Sequence, residues 1–250
     1  SSDVCSSDLV STAALFGKQN IRFDPTKFSW IGSMNEERSL CAVWHTAPVK
    51  TFADLQKTPI TVSGLGPGGD TDVYTNLLNN VFGTKMKLVT GYNSGGAMDL
   101  AVERGEVDGR CGWSWSTLIS TKASWVTEKK VVFLVQLALE KQPELADVPL
   151  VIDFAQTDEQ RQILEVALAP QLMGRPILAP PEIPADRFAA LRAAFDASMA
   201  DPKFLGDAKA RNLEVSAVSG ERLETMIKRL FAMPQAIIDK TAAAVEHSTP

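Results

Sequence analysis

Between Ile60 and Trp115 the sequence repeats one pattern: a short apolar run, a turn of small residues, then a helical periodicity. Ile60 to Ser63 reads as a buried strand and is followed by Gly64-Leu65-Gly66-Pro67-Gly68-Gly69. The helix expected from Asp70 to Phe82 gathers Val73, Leu77, Leu78, Val81 and Phe82 on one face. Met86 to Thr90 is the next strand, and Gly91-Tyr92-Asn93-Ser94 leads into a helix from Gly95 to Arg104. Gly105 stands where a left-handed helix cap belongs. Val107 to Trp115 and Val131 to Leu139 supply two further strands. Strand and helix alternating through short loops imply a mostly parallel sheet covered by helices, an α/β architecture.

Outside that region the signals are sparser. Leu40 to Trp44 is a short apolar run closed by Pro48, and Thr51-Phe-Ala-Asp54 has the spacing of a capping box. A second such signature, Thr157 to Gln160, opens a helix through Leu168. Pro176 to Ala179 is extended, and the helix after Pro184 places Phe188, Leu191, Phe195 and Met199 along one side. A short helix follows Pro202, then Leu213, Val215 and Ala217 alternate as a strand does. Leu223, Met226, Ile227, Leu230 and Phe231 form an amphipathic stripe of the kind that packs a core.

Composition excludes several classes of function. With 45% apolar residues and 22% charged, the chain is that of a packed domain. A net charge of -5 with scattered Lys and Arg argues against nucleic acid as a partner. No apolar run reaches the ~18 residues of a membrane-spanning helix, so no membrane insertion is expected. Residues Ser1 to Leu9, SSDVCSSDL, are polar and repetitive, and they match the translation of a constant sequencing-library adapter. They are read as an artefact of assembly. Setting aside Asp3, Asp8 and Cys5 brings the net charge to -3 and leaves Cys41 and Cys111.

The chemistry-bearing residues cluster after the strands. In an open α/β sheet, ligands collect just outside the carboxyl ends of the strands. Three successive loops place small, hydroxyl-bearing or aromatic residues there: Ser63 to Asp72, Thr90 to Gly96, and Gly112 to Thr117. Gly64, Gly66 and Gly69 satisfy G-x-G-x-x-G, and a helix start after such a turn offers free N–H donors to an anion. The full dinucleotide motif also wants an acidic residue ~20 positions on. Here that strand ends Val89-Thr90-Gly91-Tyr92, and Asp70 and Asp72 would repel a pyrophosphate. A small-molecule contact site is the preferred reading, with a nucleotide-dependent oxidoreductase using the Gly64–Gly69 loop as the alternative. Alternation along a strand points Trp113 and Trp115 opposite ways, so at most one faces a ligand while the other packs. Neither His45 nor His247 belongs to a catalytic pattern, no metal-ligand spacing occurs, and no cofactor is called for. The two cysteines lie in apolar strand text typical of inert buried thiols, and in an exported protein they could pair.

With these loops in view, the chain resembles the solute-binding proteins of tripartite tricarboxylate transporters, the Bug family, from about Asn20 to Ala244. The resemblance is carried by Phe28-Ser-Trp-Ile-Gly-Ser33, Pro48-Val-Lys-Thr-Phe-Ala-Asp-Leu55, Ser63 to Gly69 and Gly105-Glu-Val-Asp108. Leu145-Ala-Asp-Val-Pro-Leu150, Leu178-Ala-Pro-Pro-Glu-Ile-Pro184 and Ala200-Asp-Pro202 complete it in the family's order. It implies a type II periplasmic-binding-protein-like clamshell of two domains with mostly parallel sheets, a ligand in the cleft, and no enzymatic activity. Residues 10–44 and 173–250 would form an incomplete first domain, and 45–172 the second, with hinges near Trp44-His45-Thr46 and Gly174-Arg175-Pro176. The implied ligand-binding residues are Ser63, Gly64, Gly66, Gly68, Gly69 and Asp70, then Tyr92, Ser94 and Gly95, then Trp113, Ser114, Trp115 and Ser116.

The implied partners are a small carboxylate or zwitterionic ligand and the membrane permease subunits of a secondary transporter, the protein itself being a periplasmic monomer. The family's opening strand and Pro/Gly loop are missing from this sequence, so its signal peptide is expected to be lost with them. Asp70 and Asp72 stand where the family has neutral residues. Either they simply suit a helix N-terminus, or Asp70 receives the ammonium of an amino-acid-like ligand. A ligand-responsive sensor of the same fold is a further alternative.

Overall fold

A computed structural model describes residues 14–16, 23–211 and 213–246. The adapter-like residues 1–9 and His247 lie outside the described residues. In chain order the strands are β1 (Ser29–Ser33), β2 (Ser39–Trp44), β3 (Ile60–Ser63), β4 (Met86–Val89), β5 (Gly109–Ser114), β6 (Val131–Leu137), β7 (Pro176–Ala179) and β8 (Val218–Ser219). The main helices are α1 (Asp70–Phe82), α2 (Gly95–Glu103), α3 (Trp115–Thr127), α4 (Asp158–Leu168), α5 (Ala185–Ala200), α6 (Pro202–Ala210), α7 (Gly220–Phe231) and α8 (Gln235–Val245).

These elements form two compact units. The first comprises Ser1–Glu37 and Ala169–Asp239 and contains a three-stranded sheet in the order β7-β1-β8. The second comprises Arg38–Leu168 and Lys240–Pro250 and contains a five-stranded sheet in the order β4-β3-β5-β2-β6. The divisions differ from the expected 10–44, 45–172 and 173–250. β2 falls in the second unit because β5 and β6 flank it on both sides. The end of α8 falls there too, where the Asn76 and Asn80 amides donate to the carbonyls of Val245 and Ala244. The expected hinges also sit inside units. His45 N–H donates to Lys130 O, and Arg175 N–H donates to the Ser33 hydroxyl.

The first unit's sheet is antiparallel and the second's is mixed, rather than both mostly parallel. In the first unit β1 runs antiparallel to both neighbours. Its Trp30 is buried, and the Arg192 guanidinium of α5 donates twice to the Trp30 carbonyl. On α7, Leu223, Ile227 and Leu230 bury the expected stripe, with Phe231 at its exposed edge. On α5 only Phe195 is buried, set against Gly32, where an added Cβ would lie 2.2 Å from its ring; Leu191 faces outward. Leu213 to Ala217 is not a strand, because only Val218 and Ser219 pair with β1, and Leu213 is exposed.

In the second unit β3 runs parallel to β4 and β5, whereas β2 is antiparallel to β5 and β6. Four strands therefore point one way, with the reversed β2 set between two of them. Trp113, Trp115, Leu118 and Trp125 pack with Leu40 and Ala42 as one core cluster. Cys41 and Cys111 are joined as a disulfide linking β2 to β5. The Thr51–Asp54 capping box forms: the Thr51 hydroxyl accepts the Asp54 N–H, and the Asp54 carboxylate accepts those of Lys50 and Thr51. Gly105 closes α2 with φ +71°.

Candidate functional site

Because β3, β4 and β5 run in the same direction, their carboxyl ends share one edge of the sheet, and each feeds directly into a helix. The N-termini of α1, α2 and α3 accordingly stand on that edge, where unpaired N–H groups and the helix dipoles favour an anion.

The first loop is bent back onto the helix it opens. Leu65 N–H donates to the Thr71 hydroxyl at 3.1 Å, and Gly66 N–H donates to Asp72 Oδ2 at 3.1 Å. The Thr71 hydroxyl in turn donates to the same carboxylate oxygen. Asp72 is only 3% exposed, so its charge serves the loop rather than solvent. An alanine Cβ at Gly64 would lie 2.5 Å from Asp72 Oδ2, and Gly66 (φ +134°) and Gly68 (φ +85°) turn where side chains are strained. Asp70 is exposed at the start of α1, and the preceding Gly69 gives that helix no side-chain cap. Ser63 is fully buried, its hydroxyl donating to Gly109 O.

The second and third loops are tied to the first. Gly64 N–H donates to Val89 O, and Tyr92 N–H donates to Gly64 O. Gly112, at φ +69°, lies against the backbone of Asp70 and Thr71. The Ser94 hydroxyl caps α2 by accepting the Ala97 N–H, which leaves Gly95 and Gly96 as its first-turn donors. The Ser114 hydroxyl caps α3 by accepting the Thr117 N–H and lies 2.9 Å from that of Ser116. Tyr92 is half-buried against Ala101, Val102 and Val107.

Trp113 and Trp115 do not point opposite ways. β5 ends at Ser114 and α3 begins at Trp115, so strand alternation stops between them, and both rings enter the same core cluster. Neither ring is a ligand platform. The structure thus brings the three loops together through their backbones, while Ser63, Trp113 and Trp115 point their side chains into packing.

Asp99 on α2 and Arg110 on β5, absent from the expected site, form a buried ion pair with Nη1–Oδ1 3.0 Å. Burial raises the Asp99 pKa above the ordinary carboxylate value despite the opposing arginine, and burial lowers that of Arg110. The Arg110 guanidinium also lies 5.3 Å from the Trp113 ring centre. The sequence signal for this pair is two charged residues at positions where the surrounding pattern wants apolar ones.

His45 is exposed beside Trp44. Among the described residues no three His, Cys, Asp or Glu side chains gather as metal ligands. No helix among them is long and apolar enough to cross a membrane.

The fold is that of periplasmic solute-binding proteins. A TctC solute-binding protein from Polaromonas superposes with TM-score 0.68 at 15% identity, over 92% of this chain and 75% of that one. The periplasmic binding protein BugD matches with TM-score 0.57 at 18% identity, over 94% of this chain and 75% of its own. MatC from Rhodopseudomonas palustris, solved with bound malate, matches with TM-score 0.55 at 18% identity, over 96% and 77%. No protein-family model matches the chain, and no curated protein matches it by sequence.

Proposed function

We propose that this chain is a periplasmic solute-binding protein of the Bug type that captures a small carboxylate or amino-acid-like solute by closing a two-domain clamshell on it. It then delivers that solute to a membrane permease and carries out no chemistry itself. The observation that carries the reading is the set of three helix N-termini on one sheet edge, fixed to one another by backbone contacts among their loops. Such a site supplies directional donors and partial positive charge without a titrating group. The loops contribute Gly68, Gly69 and Asp70, then Tyr92, Ser94 and Gly95, then Ser114 and Ser116. Malate in a protein of the same fold supports a carboxylate as the ligand class.

The nucleotide reading is weaker on this geometry. The N–H groups of Leu65 and Gly66, which would cradle a pyrophosphate, are spent on Thr71 and Asp72. A buried carboxylate within that cradle opposes a second anion.

Calorimetric titration with malate, adipate, aspartate, glutamate and NAD tests the proposal. Saturable binding of at least one carboxylate, with none of NAD, is expected. NAD binding without carboxylate binding would overturn it. Aspartate or glutamate binding more tightly than malate assigns Asp70 to an ammonium group; the reverse order leaves Asp70 as a helix-start residue.

A further inference from the structure

Arg110 sits among the three loops rather than on the surface. It is 8% exposed, held by Asp99 through a single Nη1 contact. Its guanidinium lies beneath the first turn of α2: a Cβ added to Gly95 would be 3.5 Å from Nη1 and 3.8 Å from Nη2. Asp70 at the start of α1 is near enough to act on its charge. The guanidinium thus lies close to the α2 start that the proposed ligand would use and within electrostatic reach of the α1 start.

The donors of this arginine are under-used. A guanidinium carries five N–H groups, and a purely structural buried arginine is stable when these are met, ideally by a bidentate carboxylate. Here Nε–H has no partner. The indole N–H groups of Trp113 and Trp115, a few residues along the same segment, are likewise buried without a partner. Buried donors left unmet are rare and costly, and the Arg110 Nε–H calls for an acceptor. Gly95 has no side chain to stand between the guanidinium and the α2 terminus.

We propose that Arg110 is itself a ligand-binding residue: clamped by Asp99 under the first turn of α2, it receives a carboxylate of the solute together with the Gly95 and Gly96 N–H groups. Asp99 is its positioning residue. This rests on the carboxylate-capture reading and deepens it. The site then discriminates by charge, favouring the carboxylate over the amide of the same acid because hydrogen bonds between two charged groups are the stronger.

The test compares wild type with Arg110→Met/Asp99→Leu, which replaces the ion pair with apolar groups, an exchange buried pairs commonly tolerate. Malate, adipate, aspartate and glutamate are titrated into each, with circular dichroism and urea midpoints confirming folding. A folded double variant should lose affinity by roughly 30-fold or more, the scale of removing a partner from a buried charge pair. Asp99→Asn, which keeps the cation, should lose less. A folded double variant with the wild-type Kd overturns the proposal while leaving carboxylate capture intact. Wild type that binds none of the four acids overturns capture, and the proposal with it. Should the double variant fail to fold, the Arg110 Nε–H resonance of the wild-type protein decides. Identified by its absence from Arg110→Lys, it should move downfield on saturation with the tightest of the four acids, and a stationary resonance overturns the assignment.

Discussion

Gly112→Ala should cost far more than an ordinary glycine replacement, and the excess can be isolated. Gly112 has φ +69°, and the Cβ of an alanine there would lie 2.6 Å from Asp70 O, 2.7 Å from Asp70 C and 2.9 Å from Thr71 Cα. These atoms are backbone in the first turn of α1, so no side-chain rotation relieves the clash, and the shortfall from the 3.5–4.0 Å optimum is roughly 1 Å. Two effects add: about 1–2 kcal/mol for placing a side chain in the left-handed region and about 1–3 kcal/mol for overpacking. Gly105→Ala is the control, since Gly105 has φ +71° and nothing within 4 Å of an added Cβ. It should show the first effect alone. Urea unfolding followed by tryptophan fluorescence reads both variants, because Trp113, Trp115 and Trp125 all lie in the second unit's core. Gly112→Ala should be less stable than Gly105→Ala by about 1–3 kcal/mol, and its carboxylate affinity should fall as the α1 terminus shifts. Equal costs for the two variants would refute the close approach of β5 to α1.

Asp72→Ala removes the acceptor of the Gly66 N–H and the Thr71 hydroxyl; a loss of about 2 kcal/mol is expected, together with new proteolytic cleavage between Gly64 and Gly69. Thiol titration of the denatured, unreduced protein should detect neither Cys41 nor Cys111, and reduction should lower stability by about 4 kcal/mol for a loop of 70 residues; reactive thiols at both positions before reduction would exclude the cross-link. Burial raises the Asp99 pKa, so the native state keeps this proton at pH values where the unfolded chain has released it. This group's contribution to stability therefore declines as pH rises from about 4 through the raised value, and Asp99→Asn should flatten that decline in a series of urea midpoints. Asp54 has the opposite sign. The Lys50 N–H, then Thr51, lowers its pKa, so its contribution is present above the unfolded carboxylate range and fades as pH falls below it; Asp54→Ala should flatten the acid limb.

What the sequence made legible was local. Gly105 could be placed because a left-handed cap after a short helix demands glycine, and the three loops because small residues punctuated apolar runs. The reversed β2 was illegible, since Leu40 to Trp44 reads the same whichever way its neighbours run. The α5 stripe misled because periodicity marks a face without saying how much of it is covered; Phe195 meets Gly32, while Leu191 stays exposed. The Trp113 and Trp115 expectation failed at a strand-to-helix junction two residues wide. Arg110 and Asp99 left only a weak signal, two charges among apolar neighbours, because each carries meaning only as the other's partner, eleven residues away in sequence.

The placement of β2 also sets an order of events. It precedes β3 in the chain, yet it pairs with β5 and β6, whose residues lie 66 to 98 positions later. The unit is finished only when residues 240–246 join it. A chain made from its N-terminus must therefore hold β2 unpaired until β5 and β6 have been made, its apolar face without cover meanwhile. Long-range closures of this kind fold slowly and leave strand edges open meanwhile, so β2 is the segment a chaperone would be needed to shield and the place where misassembly would begin.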